Sequence, residues 1–581
     1  MFGPLQRLFR HPRDIRLWYH PHYRLPLAAS EQSLGLDSRR PDDVLHFLLA
    51  KKVVPATYVL EPQPASYADL QRVHATEYLE SLTHTAALAR IYAQAEEELV
   101  ADHLMRSLRL AVGGTVAAAR DTLAHRRANV NLLGGFHHAG KARGGGFCAL
   151  NDIAVAFRAV RADGFQGQVV VIDLDAHPPD GTADCLHGEA WLGSLSGVSW
   201  GAMEGVDETT LPARTGDAGY LEALDALLKR MPKPQLAFVI AGGDVLEGDR
   251  LGQLGLSLTG VRERDLKVAD ALQGVPQVWL PAGGYSTHAW KALAGTVIAL
   301  TDHSRALIPP AYDPLAERFL STSERLDPSK LSGGPLMSEE EVAEALGMSP
   351  RGEHRLLGYY SKEGLEYALE KFGILEHLRR LGYAQLHIEL DSAGTGDRAR
   401  LKGVDETTGQ PAEVVQLEVQ RKAVAGGTFL FINWLALRNP RAHFSPARPK
   451  LPGQDVPGLG LAREMTQMLV LMAKRLTLDG VAFRPSWYHM AYAARYDGSR
   501  FHDPKRQGRF EALVRDLRQM NLLEATTAVA EGKVQLNGQP YAWEADEMVH
   551  WLEPAHAEAD RAQIIEERDR CRFTVTTGSS P

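Results

Sequence analysis

The sequence predicts a doubly wound α/β domain with a mostly parallel sheet, followed by a smaller α+β domain. Between about residues 100 and 300, short apolar runs rich in β-branched residues alternate with stretches of helical period. This alternation is expected where helices connect buried parallel strands. The pattern breaks into proline and serine clusters over residues 303–345. Beyond them, the apolar pattern predicts a hairpin, a further strand and a long helix.

The composition excludes several classes of protein. With 44% hydrophobic and 23% charged residues, the 581-residue chain is typical of globular proteins and not of disordered ones. The net charge of -8 argues against a nucleic acid as partner, because phosphate binding depends on clustered positive charge. Three cysteines cannot build a disulfide framework, and no apolar run reaches the roughly 18 residues of a membrane span. We therefore expect a cytoplasmic protein without a membrane span, and the oligomeric state is not predicted.

The first domain contains four predicted buried strands. They cover residues 128–133, 169–172, 236–240 and 278–280. Helical periodicity is clearest over residues 154–160 and 220–229, which lie between strands. In doubly wound sheets, ligands bind beyond the carboxyl ends of the strands. The residues that follow each strand are therefore the first candidates for a site.

The second domain has a different order of elements. The sequence predicts a helical region over residues 362–381, strands at 386–390, 399–404, 413–420 and 429–437, and a helix at 462–475. The strands at 399–404 and 413–420 form a hairpin. The predicted organisation is a first domain over residues 1–305, a linker over 306–345, a second domain over 346–570 and a tail over 571–581. Cys571 stands in a charged segment and is expected to be exposed.

Metal-ligand residues follow two of the predicted strands. Asp173, Asp175 and His177 alternate in an extended segment, so their side chains project to one side. Acids after a strand commonly cap the next helix, and that is the alternative interpretation. The next strand, however, is followed by Asp244, a second carboxylate at the same edge. One imidazole and two carboxylates leave coordination open, as a catalytic zinc site requires.

Residues suited to acid–base chemistry follow the other two strands. His137 and His138 come after a Gly-Gly-Phe turn, and Tyr285 comes after two glycines. Each could be a packed polar or aromatic residue on a turn. Beside a metal, one histidine can act as general base, the carboxylates of Asp173 and Asp180 can orient the imidazoles, and a tyrosine hydroxyl can donate to an oxyanion. Four strand ends then contribute to one site.

These segments resemble the zinc-dependent histone deacetylase family, which has the arginase/deacetylase fold. The segments that carry the resemblance are L-x-x-V-H-x-x-x-Y-L at 70–79, G-G-F-H-H-A at 134–139, R-G-G-G-F-C at 143–148, D-L-D-A-H at 173–177, A-G-G-D-V-L-E-G-D-R-L-G at 241–252 and G-G-Y at 283–285. The R-G-G-G-F-C run and the D-x-L-E-G-D-R-L-G segment are most similar to class IV members. The motifs appear in order across about residues 15–305.

The resemblance implies a role for each matching residue. In it, Asp175, His177 and Asp244 bind zinc; His138, supported by Asp180, is general base and then acid; His137, supported by Asp173, assists electrostatically; Tyr285 stabilises the oxyanion; Gly146 and Phe147 line the acyl-lysine channel. It also implies a structural monovalent cation. One departure concerns Asp180. After the metal-binding histidine the family continues H-G-[ND]-G, whereas this chain reads Pro178-Pro179-Asp180-Gly181. Proline constrains the turn that presents Asp180.

The function implied is a zinc-dependent deacylase that hydrolyses N-acyl amides, above all acyl-lysine in proteins. Similarity to class IV extends the expected acyl groups to chains longer than acetyl. One alternative is a small-molecule amidohydrolase for acetylpolyamine-like substrates, since related enzymes share the motifs. Another is a non-catalytic acyl-lysine binding protein. The negative net charge suits basic substrates of either kind.

The second domain resembles GNAT-type acyltransferases. In that family a glycine-rich loop at a helix start holds the pyrophosphate of coenzyme A through main-chain amides. Gln454, Gly458 and Gly460 stand before the helix at 462–475, with one residue more than the family pattern. The resemblance implies acetyl-CoA or acyl-CoA as ligand, with Tyr492 or Tyr496 as a leaving-group acid. The alternative is a scaffold that binds a substrate protein, an acyl carrier or a second subunit.

Overall fold

The computed structural model describes residues 14–27, 35–301, 308–333, 354–424, 426–446, 448–553 and 560–576. The chain divides into two compact units, Met1–Arg318 and Phe319–Pro581. The sequence places the end of the first domain at residue 305, earlier than this division. Arg318 pairs with Asp42 of the first unit at 3.1 Å, whereas Phe319 stacks on Phe372 of the second, with ring centroids 4.7 Å apart.

The first unit is built on an eight-stranded sheet in which every pairing is parallel. Its strands are β1 (Ile15–Trp18), β2 (Val59–Leu60), β3 (Ala128–Asn131), β4 (Val169–Asp173), β5 (Trp191–Ser196), β6 (Val206–Thr210), β7 (Leu236–Ile240) and β8 (Gln277–Leu280). Their order is β2-β1-β3-β8-β7-β4-β5-β6. The predicted parallel α/β sheet is confirmed, and the four predicted strands are its four central ones. The outer strands lack long apolar runs; β6, for example, reads Val-Asp-Glu-Thr-Thr.

Helices connect these strands. They are α1 (Arg40–Ala50), α2 (Tyr67–Leu70), α3 (Thr76–Ser81), α4 (Thr85–Tyr92), α5 (Ala101–His125), α6 (Asp152–Ala162), α7 (Asp180–Leu186), α8 (Gly216–Arg230), α9 (Leu258–Ala271) and α10 (Ala289–Thr301). Three single-turn 3-10 helices lie at Pro21–Tyr23, Ala56–Tyr58 and Glu96–Glu98. Each of α6 and α9 begins at a side-chain cap, from Asn151 and Ser257 respectively. The strands β3, β4, β7 and β8 are fully buried, which explains the apolar runs at 169–172 and 236–240, although β3 also carries the buried Asn129 and Asn131.

The segment predicted as a linker contains regular structure. The helix α11 (Pro314–Arg325) passes through the boundary between the units, and α12 (Pro328–Ser332) follows it. Residues 306–307 and 334–345 of the predicted linker lie outside the described residues. No helix within the described ranges combines the length and the apolar character needed to cross a lipid bilayer.

The second unit is an α+β structure around a seven-stranded sheet. The strands are β9 (Tyr383–Ala393), β10 (Gly396–Asp405), β11 (Pro411–Val424), β12 (Gly427–Leu437), β13 (Gly480–Phe483), β14 (Arg500–Phe501) and β17 (Met548–Trp551). Their order is β14-β17-β13-β12-β11-β10-β9, and all pairs are antiparallel except β12 with β13. A small sheet joins β16 (Gln539–Pro540), β15 (Val534–Leu536) and β18 (Phe573–Val575).

The helices of the second unit pack around these sheets. They are α13 (Lys362–Lys371), α14 (Ile374–Arg380), α15 (Ala462–Arg475), α16 (Tyr488–Ala494), α17 (Pro504–Asp516), α18 (Leu522–Ala530) and α19 (Arg561–Arg570), with a 3-10 turn at Arg495–Asp497. Residues 573–575 of the predicted tail belong to this unit, because they form β18, which pairs with β15. The expectation that Cys571 is exposed is wrong: it is 2% exposed, packed in a core with Phe573 and Phe510.

Candidate metal centre

The centre lies where the central strands β4 and β7 end. Their ladder runs from Val169 paired with Leu236 to Asp173 paired with Ile240. Beyond the ladder, the segment that follows β4 carries Asp175 and His177, and the segment that follows β7 carries Asp244. Because the strands are parallel, their carboxyl ends share one edge, and residues far apart in sequence meet there.

Asp175, His177 and Asp244 converge on one point. Nδ1 of His177 lies 3.2 Å from Oδ1 of Asp175 and 3.0 Å from Oδ2 of Asp244. One ligand atom from each residue lies within 4.8 Å of the others. Both carboxylates are buried, while the imidazole is partly exposed. The three residues predicted as metal ligands are therefore close enough to hold one ion.

The electrostatics of the three residues also fit a cation. Burial and the neighbouring Asp175 raise the pKa of Asp244 to about 7. Burial opposes the charged form of His177, but its hydrogen bonds to both carboxylates outweigh burial and raise its pKa to about 10. The two buried carboxylates therefore repel each other, and a positive charge near both of them relieves this repulsion. Nitrogen and carboxylate oxygen donors of this kind suit Zn²⁺, and three protein ligands leave a position open.

Main-chain groups hold the two carboxylates in place. The Gly283 amide donates to Oδ2 of Asp175 at 2.8 Å, and the Ala176 amide donates to Oδ1 of Asp244 at 3.0 Å. A Cβ atom at Gly283 would lie 2.6 Å from Oδ2 of Asp175 and 2.9 Å from Oδ2 of Asp244. The loop after β8 can therefore approach both ligands only because residue 283 is glycine.

His137 forms a buried pair with Asp173. Its Nδ1 lies 2.8 Å from Oδ2 of Asp173, and its Nε2 lies 3.7 Å from Oδ1 of Asp175. Burial lowers the pKa of His137, but the charges of Asp173 and Asp175 outweigh it and raise the pKa to about 9. This imidazole is therefore a positive group at neutral pH.

His138 forms the second pair, with Asp180. The two residues are joined by a 2.7 Å contact from Nδ1 of His138 to Oδ1 of Asp180. Asp180 is the first residue of α7, directly after Pro178 and Pro179, so the constrained turn still presents the carboxylate to the imidazole. Burial and the charge of His137 lower the pKa of His138 to about 4. It is neutral at neutral pH, with Nε2 left as acceptor when Nδ1 donates to Asp180.

Tyr285 is held at the same edge by its main chain. Its amide donates to Oδ2 of Asp249 at 2.6 Å, while Oδ1 of Asp249 accepts from the amides of Leu251 and Gly252. Burial and the charges of Asp175 and Asp244 raise the pKa of the hydroxyl well above its usual value. The group therefore remains a hydrogen-bond donor.

Gly146 and Phe147, for which the resemblance implies a place in the channel wall, lie close to His138 and Tyr285. The ring centroid of Phe147 is 5.9 Å from that of Tyr285. Gly146 has a φ of +53°, and a Cβ atom there would lie 2.4 Å from Cδ2 of His138. Glycine is required because it adopts a positive φ without strain and leaves room for the imidazole.

Two further residues at the site were missed in the sequence. Trp200, in the loop after β5, is 51% exposed, and its ring centroid lies 5.3 Å from His138 and 6.4 Å from His177. Arg143 donates from Nη2 to Oδ2 of Asp180 at 2.8 Å, so the carboxylate that orients His138 is held from both sides. Arg143 begins the R-G-G-G-F-C run and was visible there; Trp200 lies in a segment with no motif.

Asp152 anchors the loop that carries the two catalytic-type histidines. Its carboxylate accepts from the amides of Gly135, at 3.0 Å, and Phe136, at 2.8 Å, and from the hydroxyl of Thr115 at 2.7 Å. Asp152 is fully buried as the first residue of α6. Its position shortly after the R-G-G-G-F-C run gave no sign of this function.

The predicted cofactor residues of the second unit lie in the segment that joins β12 to α15. The amide of Leu451 donates to Oε1 of Gln454 at 3.0 Å, so this side chain is engaged in its own turn. Gly460 has a φ of +75°, and α15 begins after Leu461 without a side-chain cap. The hydroxyls of Tyr492 and Tyr496 are 3.4 Å apart, with the Arg495 guanidinium over both rings.

Comparison with known proteins finds a family model, relatives and solved structures that are similar to part of this chain. The model of the histone deacetylase domain matches residues 36–197 and 201–301. Histone deacetylase 2 of Arabidopsis thaliana is 32% identical over 306 residues, which are 49% of this chain and 78% of that protein. A probable deacetylase of Archaeoglobus fulgidus is 29% identical over 290 residues, 46% of this chain and 77% of that protein. A solved HDAC homologue from Aquifex aeolicus is 22% identical with a TM-score of 0.42, covering 52% of this chain and 88% of that one.

Proposed function

The chain belongs to the histone deacetylase family, and from this premise we propose that it is a zinc-dependent deacylase that hydrolyses N-acyl amides, above all acyl-lysine in proteins. The observation that carries the proposal is the convergence of Asp175, His177 and Asp244 beside the His138–Asp180 pair. A general base beside an open metal position is the arrangement that suits metal-assisted hydrolysis.

Asp175, His177 and Asp244 would hold the zinc ion. When bound, the ion supplies Lewis-acid activation of the amide carbonyl and of water. The main-chain amides of Gly283 and Ala176 orient the two carboxylates, and that support keeps their oxygens directed at one point.

The remaining residues move and stabilise charge. Neutral His138 accepts a proton from the attacking water, and Asp180 stabilises the resulting imidazolium through its hydrogen bond to Nδ1. The same imidazolium then donates its proton to the departing amine. The hydroxyl of Tyr285 donates to the oxyanion of the tetrahedral intermediate, and the positive charge of His137 adds to this stabilisation.

The metal dependence is tested with Asp175→Asn. The substitution keeps the volume of the side chain but removes a ligand charge, so we expect metal content and hydrolysis to fall together. Activity should also be lost with a chelator and return with Zn²⁺. Asp163→Asn is a matched control, because Asp163 forms an exposed pair with Arg120. Full activity of metal-free protein would contradict the proposal.

The substrate class is tested with a panel of acyl amides. Class IV similarity favours acetyl-lysine peptides and long-chain acyl-lysine peptides over acetylpolyamines, and each is assayed with and without chelator. Hydrolysis of acetylpolyamines alone would favour the small-molecule alternative. Metal-independent binding of acyl-lysine without hydrolysis would favour the non-catalytic alternative.

We also propose a structural monovalent cation under β4 and β5. Ser194 pairs in register with Asp173, and its hydroxyl is fully buried with no hydrogen-bond partner among the described residues. A buried polar atom without a partner is costly unless an ion or water satisfies it. We expect KCl, but not choline chloride at equal ionic strength, to raise the unfolding temperature, and the difference to be absent in Ser194→Ala.

For the second unit we propose binding of acetyl-CoA or acyl-CoA on a GNAT-like sheet. The supporting observation is that β12 and β13 pair only from Phe429 to Ile432, and that Asn433 is skipped in the register of β12 with β11. The two strands therefore part from this bulge onward. Main-chain groups of residues 433–437 lie beyond the β13 pairing, near the segment that leads to α15.

This second function is tested by titrating the full chain with acetyl-CoA. Gly458→Glu would place a negative charge where the pyrophosphate is expected. There is room for the new side chain, because a Cβ atom at Gly458 would have the Leu437 carbonyl oxygen as its nearest neighbour, at 3.5 Å. We expect binding by the wild type and its loss in Gly458→Glu. Gly394→Glu is the control, because that turn is open. Absence of binding by the wild type would favour the scaffold alternative.

A further inference from the structure

A buried arginine ties together the two strand ends that carry the metal ligands. Arg264 lies on α9 and is 0% exposed, as is its neighbour Asp265. Nε of Arg264 donates to Oδ1 of Asp265 at 2.8 Å. Nη1 donates to two main-chain carbonyl oxygens, that of Leu174 at 3.3 Å and that of Gly242 at 2.8 Å.

These carbonyl groups stand where the sheet ends. The last contact of the β4–β7 ladder is the Leu174 amide, which donates to the Ile240 carbonyl at 2.9 Å. Beyond this hydrogen bond, the segments that follow β4 and β7 are no longer paired with each other, and their carbonyl groups take no part in that ladder. Leu174 directly precedes Asp175, and Gly242 stands two residues before Asp244. One guanidinium nitrogen therefore bridges the segments that follow β4 and β7, immediately before the metal-ligand residues Asp175 and Asp244.

The arginine is itself fixed from the next helix. Oδ2 of Asp265 accepts from the hydroxyl of Thr296 on α10 at 2.6 Å. The planar, multi-donor guanidinium suits this task, because a lysine ammonium lacks the fixed fork that contacts a carboxylate and the carbonyls together. The separation of the two strand ends is thus set by a side chain that two helices hold in place.

We propose that Arg264 is a positioning residue of the metal centre: by bridging the Leu174 and Gly242 carbonyls it sets the spacing of the Asp175 and Asp244 carboxylates, and with it the affinity and geometry of the bound ion. The inference rests on the proposed metal binding. Groups that orient ligands without touching the metal typically contribute about 10- to 100-fold to metal affinity.

Two changes at this position remove the bridge in different ways. Arg264→Lys keeps the charge but not the fork. The double change Arg264→Met with Asp265→Leu removes both members of the buried ion pair, and such paired apolar replacement generally keeps a protein folded. Val268→Ala is the control, because Val268 is fully buried on the same helix and its apolar side chain has no hydrogen-bond donor for either carbonyl.

The readout is metal binding and not turnover. Each protein is freed of metal and titrated with Co²⁺, whose visible absorption reports coordination geometry; Zn²⁺ affinity is measured by competition with a chromophoric chelator, and folding by circular dichroism. We expect about 10- to 100-fold weaker binding and an altered Co²⁺ spectrum in both Arg264 variants. Val268→Ala should lose stability but keep the wild-type affinity and spectrum.

The outcomes separate the inference from the function beneath it. Wild-type protein that binds neither ion would overturn both. Wild-type binding together with unchanged affinity and spectrum in the Arg264 variants would overturn the positioning role alone. Should the double variant fail to fold, the lysine variant decides. Equal losses in Val268→Ala would show a general packing effect and also overturn the inference.

Discussion

At the scale of single residues, the surroundings of His137 and of His138 shift the pKa of each in a different direction. His137 and His138 are adjacent, with ring centroids 4.0 Å apart, yet their pKa values move in opposite directions. For His137 the charges of Asp173 and Asp175 outweigh burial and raise the pKa, whereas burial and the charge of His137 lower the pKa of His138. One imidazole is therefore suited to supply charge and its neighbour to accept a proton, the roles that the family resemblance implies for them.

Trp200 is expected to act on substrate binding and not on the chemical step. Its half-exposed ring lies against His138, where the apolar stem of an acyl-lysine would pass. We predict that Trp200→Ala raises KM about tenfold, which corresponds to about 1.4 kcal/mol, and changes kcat little. Steady-state kinetics on an acyl-lysine peptide measure this, with Trp200→Phe as the conservative control. A fall in kcat at constant KM would contradict it.

His74 should make stability depend on pH. Its Nδ1 lies 2.9 Å from the Gly140 carbonyl oxygen, and its Nε2 accepts from the Asn151 amide at 3.0 Å. Protonation of Nε2 would therefore direct its new N–H group against the N–H group of Asn151. Burial accordingly lowers the pKa of His74 to about 4. Between pH 6.5 and 4 the unfolded chain binds a proton that the folded chain does not, so the free energy of unfolding falls as pH falls.

The size of this effect follows from the shift. It corresponds to about 3 kcal/mol across that interval. Denaturant unfolding at pH 7.5 and pH 5 should show about 2 kcal/mol of it, the part that is lost above pH 5. In His74→Gln, whose amide offers a neutral donor and acceptor, the difference between the two pH values should shrink. An unchanged difference would assign the pH dependence to other groups.

At the scale of elements, the central strands were predictable and the outer ones were not. Strands β4 and β7 are buried on both faces and read as continuous apolar runs. By contrast, β6 is polar and only partly buried, so pairing with β5 makes it a strand. In the second unit, the helix predicted at 462–475 matches α15, because its apolar stripe and its charged face are both complete within the segment.

The loop after β8 shows what an element must provide for the site. We predict that Gly283→Ala lowers metal affinity by more than about tenfold, because the new Cβ would meet both carboxylates. Competition with a chromophoric chelator measures the affinity. Gly295→Ala, on α10 with open space around it, should bind metal as the wild type does. Equal affinities of all three proteins would refute this account of the loop.

At the scale of the whole molecule, the chain divides into two compact units. All residues of the metal centre lie in Met1–Arg318, and the predicted acyl-CoA residues lie in Phe319–Pro581. A ligand that binds only the folded state stabilises the unit that contains its site. Metal and coenzyme should therefore stabilise different parts of the chain.

This division predicts selective stabilisation in calorimetry. Zn²⁺ at about 100 times its Kd should stabilise the first unit by about 2.7 kcal/mol and leave the transition of the second unit in place. Asp175→Asn should abolish the shift. A shift of both transitions by the same amount would show that the two units unfold together.

The sequence by itself determined the parallel α/β architecture of the first unit and the residue types at four strand ends. Both follow from local signals, since buried strands are apolar and the ligand residues follow them directly. Only the tertiary structure decided which of these residues meet, because β3, β8, β7 and β4, which precede them, are neighbours in the sheet although residues 128–131 and 277–280 lie far apart in the chain. It also decided that Asp180 reaches His138 after two prolines, that Trp200 lies against the site, and that Arg264 bridges two strand ends. Contacts between distant segments arise from packing, and a local pattern carries no record of them.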